Sequence, residues 1–251
     1  GQEWQDMRAT LSPSFTGNKL RIMFGLMKDC TKQLINYFQK QDGMVTVEMK
    51  DTFRRLANDL IATTAFGITC DSLKNPENEF FIMGRDVTDF TGFRSLLFLI
   101  NGFSSVFMKL FNIRIIQEKA SAFFSNIIKE SIKYRNEKGI VRPDMIHLLL
   151  EARRSVYDTD VQNNNIDNEP FCKIAKMEIT DDDITAQALV FFLAGFDTAS
   201  TLMTFICYEL AVNSGIQERL REEINRNSES CDGDITFEVL VGMKYLDMVI
   251  S

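Results

Sequence analysis

A chain of 251 residues, 45% hydrophobic and 25% charged, can bury a substantial core and has an ordinary globular composition. A net charge of −7 without any basic block argues against a nucleic-acid surface, and 4 Pro with 13 Gly argue against long disordered linkers. The five cysteines are widely spaced and form no CxxC pair, which speaks for free thiols in a reducing compartment rather than a disulfide frame or zinc site.

Along the chain the pattern is mostly helical. Glu3 to Leu11 reads as a short helix that Pro13 ends or bends. From Gly17 to Gln41 the residues Leu20, Met23, Phe24, Met27, Leu34, Ile35 and Phe38 keep helical spacing until Gly43 breaks it. Met44 to Glu48 alternates and predicts one short strand. Lys50 to Phe66 presents Phe53, Leu56, Leu60, Ile61 and Ala65 on one face, and Glu77 to Gly92 predicts a further helix. Leu96 to Ile100 and Phe103 to Phe111 are apolar but too short to span a bilayer. They fit either a core element or a surface patch dipping into a membrane interface. Asn112 to Lys138 is long and amphipathic, and Pro143, at a first-turn position, opens a helix over Asp144 to Arg154. The single histidine, His147, fits a helix surface or core better than a ligand role. Ser155 to Met177 is polar and rich in Asn and Asp, as in an exposed loop.

The next helix is the best specified. Thr180 with Asp183 makes a capping-box-like start, and Asp181, Asp182 and Asp183 set negative charge at the positive end of the macrodipole. From Ile184 to Val212 apolar residues cover all sides, which predicts a helix buried in a large protein or crossing a membrane. Gln187, Asp197 and Glu209 interrupt the run, favouring the central helix of a soluble core. Ser214 to Asn227 is a charged helix, Ser228 to Asp234 a loop, and Thr236 begins another helix. The periodic run from Leu240 to Ile250 lacks a stop signal, and the chain starts without Met, so both ends are expected to be cut.

Two stretches carry chemical interest. In Phe191-Phe192-Leu193-Ala194-Gly195-Phe196-Asp197-Thr198-Ala199-Ser200, a glycine and an Asp-Thr pair interrupt an apolar helix. Gly costs about 1 kcal/mol there relative to Ala, and a buried carboxylate needs a partner. A local rule broken inside an otherwise consistent element points to function. The purely structural reading of Thr198 is a bond back to the carbonyl of Ala194. Near the start, Trp4 and Arg8 stand at i and i+4, so an indole N–H and a guanidinium share one helical face and could serve one anionic group. Alone, that pair fits a core Trp under a snorkelling Arg better.

Together, W-x-x-x-R and a distant A-G-x-D-T inside a long helix resemble the cytochrome P450 family. Arg8 to Phe15, Gln217 to Ile224 and Met243 to Ile250 are similar to the family's segments at the matching places, and the resemblance covers essentially all 251 residues. In flavour it is that of insect microsomal, xenobiotic-metabolising members. The family's haem-cysteine loop, of FxxGxRxCxG type, does not occur here, and Glu151–Arg154, Glu218–Arg221 and Glu223–Arg226 are ExxR matches in the wrong helices. Both true elements are expected beyond Ser251, and the N-terminal anchor before Gly1. The implied fold is mainly α with at most minor β: one partial domain over 1–251, truncated at both ends, around a long buried helix at about 180–213.

The resemblance also implies roles. Ala194 and Gly195 leave room for dioxygen or substrate over a haem face. Thr198 hydrogen-bonds oxygen there, and Asp197 brings protons. Trp4 and Arg8 hold a haem propionate. Phe191, Phe192 and Ala194, with Phe90 and Phe93, contact an apolar substrate. The implied cofactor is haem b, with its axial cysteine beyond Ser251 and NADPH electrons delivered through NADPH–cytochrome P450 reductase. The implied place is the cytosolic face of the endoplasmic reticulum membrane, reached in part through Leu96 to Phe111. The implied activity is insertion of one oxygen atom from O2 into apolar organic substrates, xenobiotics or endogenous lipophiles, with the 251 residues inactive by themselves. The reading from another class is a non-catalytic helical binding or interaction protein in which Gly195 and Thr198 serve packing alone. A transporter is disfavoured by the lack of repeated apolar spans.

Overall fold

A computed structural model describes residues 2–12, 16–89, 91, 95, 116–162 and 179–251. Its helices are α1 (Gln2–Leu11), α2 (Gly17–Gln39), α3 (Met49–Ala65), α4 (Glu79–Thr88), α5 (Glu118–Lys138), α6 (Met145–Gln162), α7 (Asp181–Val212), α8 (Ser214–Glu229), α9 (Phe237–Gly242) and α10 (Lys244–Ile250). The mainly α expectation holds, and no strand occurs among the described residues. Met44 to Glu48 is therefore not the short strand that its alternation predicts. Nothing pairs with it, Met44 is fully exposed, and its last residue caps α3: Glu48 accepts from the backbone N–H groups of Lys50 and Asp51.

Other boundaries moved for local reasons. Helix α4 starts at Glu79, not Glu77, because Asn78 caps it by accepting from Phe81 N at 3.1 Å. It ends at Thr88, short of Gly92. Pro143 stands outside α6 rather than in its first turn, since Asp144 supplies the cap and accepts from His147 N at 3.0 Å. That helix runs on to Gln162, through the start of the stretch expected to be a loop. Helix α5 begins at Glu118 rather than Asn112. The helix after Thr236 is two, separated at Met243, with Glu223 of α8 accepting from Tyr245 N (3.0 Å) and Leu246 N (2.8 Å) at the start of α10. The apolar stretch Leu96 to Phe111 lies outside the described residues.

Helix α7 organises the rest. Its capping box forms as expected, with Asp183 N donating to Thr180 Oγ1 at 3.1 Å and Thr180 N donating to Asp183 Oδ2 at 2.9 Å. At 1.5 Å per residue it is roughly 48 Å long. It packs most extensively on α3 and also meets α4, α5, α6 and α8, while α1 rests on α6. The core between α7, α3, α4 and α5 is a cluster of phenylalanines. Phe192 is stacked on Phe196 at 5.1 Å between centroids, with Phe66, Phe80 and Phe124 around it at 6.2, 5.6 and 5.5 Å. Centroid separations of 4.5–7 Å are those at which aromatic pairs attract beyond area burial. Helix α4 comes this close because residue 84 is Gly: a Cβ there would stand 2.2 Å from Phe192 Cζ.

Burial of α7 is one-sided, not complete as the sequence suggests. Ile184, Ala188, Leu189, Phe192, Phe196 and Ser200 are buried, but Val190, Leu202, Phe205, Tyr208 and Val212 are exposed. By length and composition α7 could cross a membrane, the one such helix among the described residues. An ion pair to α3 at its middle and contacts with α3, α4, α5, α6 and α8 make it the organising helix of a packed body.

Below the aromatic cluster, Arg135 of α5 and Asp144 form a buried bidentate pair, Nη1 to Oδ1 at 2.7 Å and Nη2 to Oδ2 at 2.5 Å. Gly67, at φ +68°, lies directly over it; a Cβ would sit 2.0 Å from Arg135 Nη2. Only a residue without a side chain fits that backbone and that space.

Candidate active site

The rule-breaking stretch of α7 presents its residues to different sides. Ala194 and Thr198 are exposed, on the same open side as Val190, Leu202 and Phe205. Phe191 is half-buried against the edge of the core. Phe192 is fully buried among the phenylalanines and does not reach the open side, so the placement expected of a substrate contact is not realised for it. Gly195 faces α3: a Cβ would meet Ile61 Cδ1 at 3.2 Å. Its smallness therefore serves the α3–α7 approach.

Hydroxyls crowd this turn. Thr198 Oγ1 donates to the carbonyl of Ala194. Ser200 Oγ donates to Phe196 O at 2.8 Å, and Thr201 Oγ1 donates to Asp197 O at 2.6 Å. Bonds of this kind compete with the helix's own ladder and favour bending.

Asp197 has the partner that a carboxylate in this helix requires. Arg54 of α3 donates to its Oδ1 from Nη2 (2.7 Å) and from Nε (3.1 Å), and Lys50 Nζ stands 3.1 Å from the same oxygen. Lys50 also donates to the Asp197 carbonyl at 3.0 Å, to Ser200 Oγ at 3.1 Å, and contacts Thr201 Oγ1. Partial burial pushes the Asp197 carboxyl up, but hydrogen bonds and charge from Arg54 and Lys50 outweigh it and hold the group below the ordinary carboxylate range. Lys50 and Arg54 are missed by the sequence pattern. The signal that could have found them is two cations at i, i+4 on a helix whose other face is apolar, together with a carboxylate that needs charge.

Arg54 and Asp197 also border a cavity of about 910 Å³ that α4 and the start of α5 close with Ile82, Met83, Arg85 and Lys119. Phe90 and Phe93 lie outside the described residues. So does the side chain of Trp4, while Arg8 stands exposed on α1. The open side of α7, apolar at Val190, Leu202 and Phe205, offers a surface that an apolar ligand could face. Cys30, Cys70 and Cys207 do not suit an axial thiolate. Burial pushes the Cys30 thiol up to about 11 and the Cys70 thiol up to about 12, and Cys207 is on α7 itself with its thiol raised by burial. Cys172 lies outside the described residues. No cluster of metal-ligating residues is found among those described. His147 contacts Glu151 Oε1 from Nε2 at 3.3 Å, in keeping with a helix-surface role.

Comparison with known proteins shows the family. The family model for cytochrome P450 matches residues 1–251. Cytochrome P450 9e2 of Blattella germanica is 45% identical over 100% of this chain and 49% of that protein. Probable cytochrome P450 9f2 of Drosophila melanogaster is 39% identical over 99% of the chain and 47% of its own length. Cytochrome P450 6k1 of Blattella germanica is 33% identical over 100% of the chain and 48% of its length. The chain thus spans about half the length of the curated relatives it matches. With a family model matched from end to end, the chain belongs to the cytochrome P450 family.

Proposed function

We propose that the protein carrying this segment is a haem-thiolate monooxygenase acting on apolar organic molecules. Haem held by a cysteine thiolate supplies the activation of dioxygen, with two electrons drawn from NADPH through a reductase. One oxygen atom enters a C–H bond of the substrate and the other leaves as water, which consumes two protons. The carrying observation is that Ala194 and Thr198 open on one side of α7 beside Asp197, the helix's ion-paired carboxylate.

The residues present divide the work. Ala194, with one methyl, leaves the open side accessible. The Thr198 hydroxyl, anchored on the Ala194 carbonyl, keeps lone pairs for a hydrogen bond on that side. Asp197 is 46% exposed and ionised at neutral pH, so it can take a proton from solvent and pass it on. Gly195 lets α3 approach with the cations that hold Asp197. Arg8, with Trp4 one turn before it on α1, would bind the propionates. Phe191 and Ala194, with Phe90 and Phe93, would meet the substrate. Association with the endoplasmic reticulum membrane, cytosolic face outward, with Leu96 to Phe111 at its surface, completes the reading.

A second reading, a helical binding protein without catalysis, is favoured by the contact of Gly195 with Ile61 and by the bond from Thr198 to Ala194. One experiment separates the two. In the full-length protein, Thr198→Ala should leave haem binding intact and divert NADPH electrons to peroxide. Product, peroxide and NADPH are measured together; unchanged coupling of NADPH to product would sink the catalytic role of Thr198.

A further inference from the structure

We propose that Lys50 and Arg54 of α3 are positioning residues: they clamp the Asp197 carboxylate through one oxygen and the α7 main chain through the Asp197 carbonyl, leaving Oδ2 as the proton-exchanging atom. The inference rests on the monooxygenase reading for the use made of that proton. The clamp itself rests on geometry.

All three cation contacts with the carboxylate converge on Oδ1: Arg54 Nη2 at 2.7 Å, Arg54 Nε at 3.1 Å and Lys50 Nζ at 3.1 Å. None of these bonds reaches Oδ2. A carboxylate oxygen with two guanidinium donors and an ammonium 3.1 Å away is a poor base, so protonation falls to the other oxygen. Asp197 is 46% exposed, so solvent can supply that proton. The oxygen that takes the proton becomes neutral O–H, gives the proton up again, and returns to carboxylate. No electrons move in the step.

Lys50 does more than balance charge. Its ammonium donates to the Asp197 carbonyl at 3.0 Å and to Ser200 Oγ at 3.1 Å. The same carbonyl accepts from Thr201 Oγ1 at 2.6 Å and from Ser200 Oγ at 3.0 Å. A helix carbonyl loaded with side-chain donors has less left for its amide partner one turn on, which is a recognised cause of helix bending. A pairing made for stability alone would need only the carboxylate. Lys50 ties the carboxylate's charge and the helix's local geometry to one side chain, at the turn that carries Ala194 and Thr198.

The charged groups around Asp197 among the described residues come from several elements. From α3 they are Lys50 and Arg54; across the cavity, α4 brings Arg85 and Asp86, α5 brings Lys119, and Asp89 lies between. The bonds to the Asp197 carboxylate come from the α3 cations. Partial burial raises the carboxyl and the hydrogen bond from Arg54 is the largest opposing influence, so removing Arg54 moves the group upward.

The test uses the full-length protein and the variants Lys50→Met, Lys50→Arg, Arg54→Gln and Arg54→Lys. Hydrogen–deuterium exchange of the peptides covering residues 194–204 is read without substrate or reductant. Lys50→Met should raise that exchange severalfold and Lys50→Arg should restore it. The pH profile of the product-to-NADPH ratio is read alongside. Arg54→Gln should move its alkaline limb to higher pH, because the protonated fraction of Asp197 then persists further, and Arg54→Lys should bring it back. Exchange and profile both unmoved would overturn the clamp. Exchange that responds with a profile that does not would overturn the positioning role. A wild-type protein without a haem-thiolate spectrum would overturn the monooxygenase reading instead, whatever the four variants show.

Discussion

Gly84→Ala tests the packing that sets α4 against α7. The added Cβ would stand 2.2 Å from Phe192 Cζ, 2.9 Å from Cε1 and 3.1 Å from Cε2. Carbon atoms without bonds between them are comfortable at about 3.5–4.0 Å, so ring or helix must yield by more than about 1 Å. The ring has little freedom: Phe192 is fully buried, stacked on Phe196 at 5.1 Å, with Phe124 at 5.5 Å and Phe80 at 5.6 Å. Overpacking of this kind costs about 1–3 kcal/mol, and a clash with a rigid ring belongs at the upper end. Replacing a helical Gly by Ala returns about 1 kcal/mol of propensity. The net expectation is a loss of roughly 2 kcal/mol, or about 4–8 °C in Tm for a chain of this size. Urea midpoints of wild type, Gly84→Ala, Phe192→Leu and the double variant make a cycle. In the Phe192→Leu background the penalty should shrink or reverse, because a smaller side chain vacates the contested space. An equal penalty in both backgrounds, or a Gly84→Ala protein as stable as wild type, would refute the reasoning.

Three further outcomes follow from buried groups. Gly67→Ala should cost more than about 3 kcal/mol in urea unfolding: the left-handed backbone costs roughly 1–2 kcal/mol, and the Cβ displaces Arg135 from the buried Asp144, a pair whose disruption costs about 3–5 kcal/mol. In native protein at pH 8 a thiol reagent should label Cys231 before Cys30 and Cys70, whose thiols burial raises to about 11 and about 12. The sign for stability follows: above the ordinary thiol value of 9.0 the unfolded chain ionises while the folded one does not, so stability should fall as pH climbs from there towards 11 and 12. Labelling of Cys30 and Cys70 at the rate of Cys231 would contradict their burial.

The fold was legible where one residue type decides a local geometry. Thr180 and Asp183 announce the start of α7, and the observed capping box spans those residues. Periodicity placed α3 to within a residue at each end, since its apolar face is regular and packs on a single neighbour most extensively. It failed at Met44 to Glu48, because alternation describes two faces and says nothing of whether a partner strand exists. It overstated the burial of α7, because an apolar side chain is equally apolar against a neighbour and against open space; Phe205 and Phe196 look alike in sequence, yet one is 61% exposed and the other fully buried.

The candidate site shows the same limit at finer scale. Gly195, Asp197 and Thr198 stand out in sequence for one reason, a break in an apolar helix, and that reason cannot say which side each one serves. In the folded chain Gly195 answers to Ile61, Asp197 to Lys50 and Arg54, and Thr198 to the open side. A motif of three residues is thus three contacts with different neighbours, held together by the pitch of one helix. The chemistry assigned to Asp197 consequently depends on a stretch of α3 that carries no motif, and the charge balance of the site is set by residues more than a hundred positions away. Substitutions at Lys50 or Arg54 are therefore expected to act on the same reaction step as substitutions at Asp197. Pairwise effects among the three should be non-additive, as for any residues sharing one hydrogen-bond network.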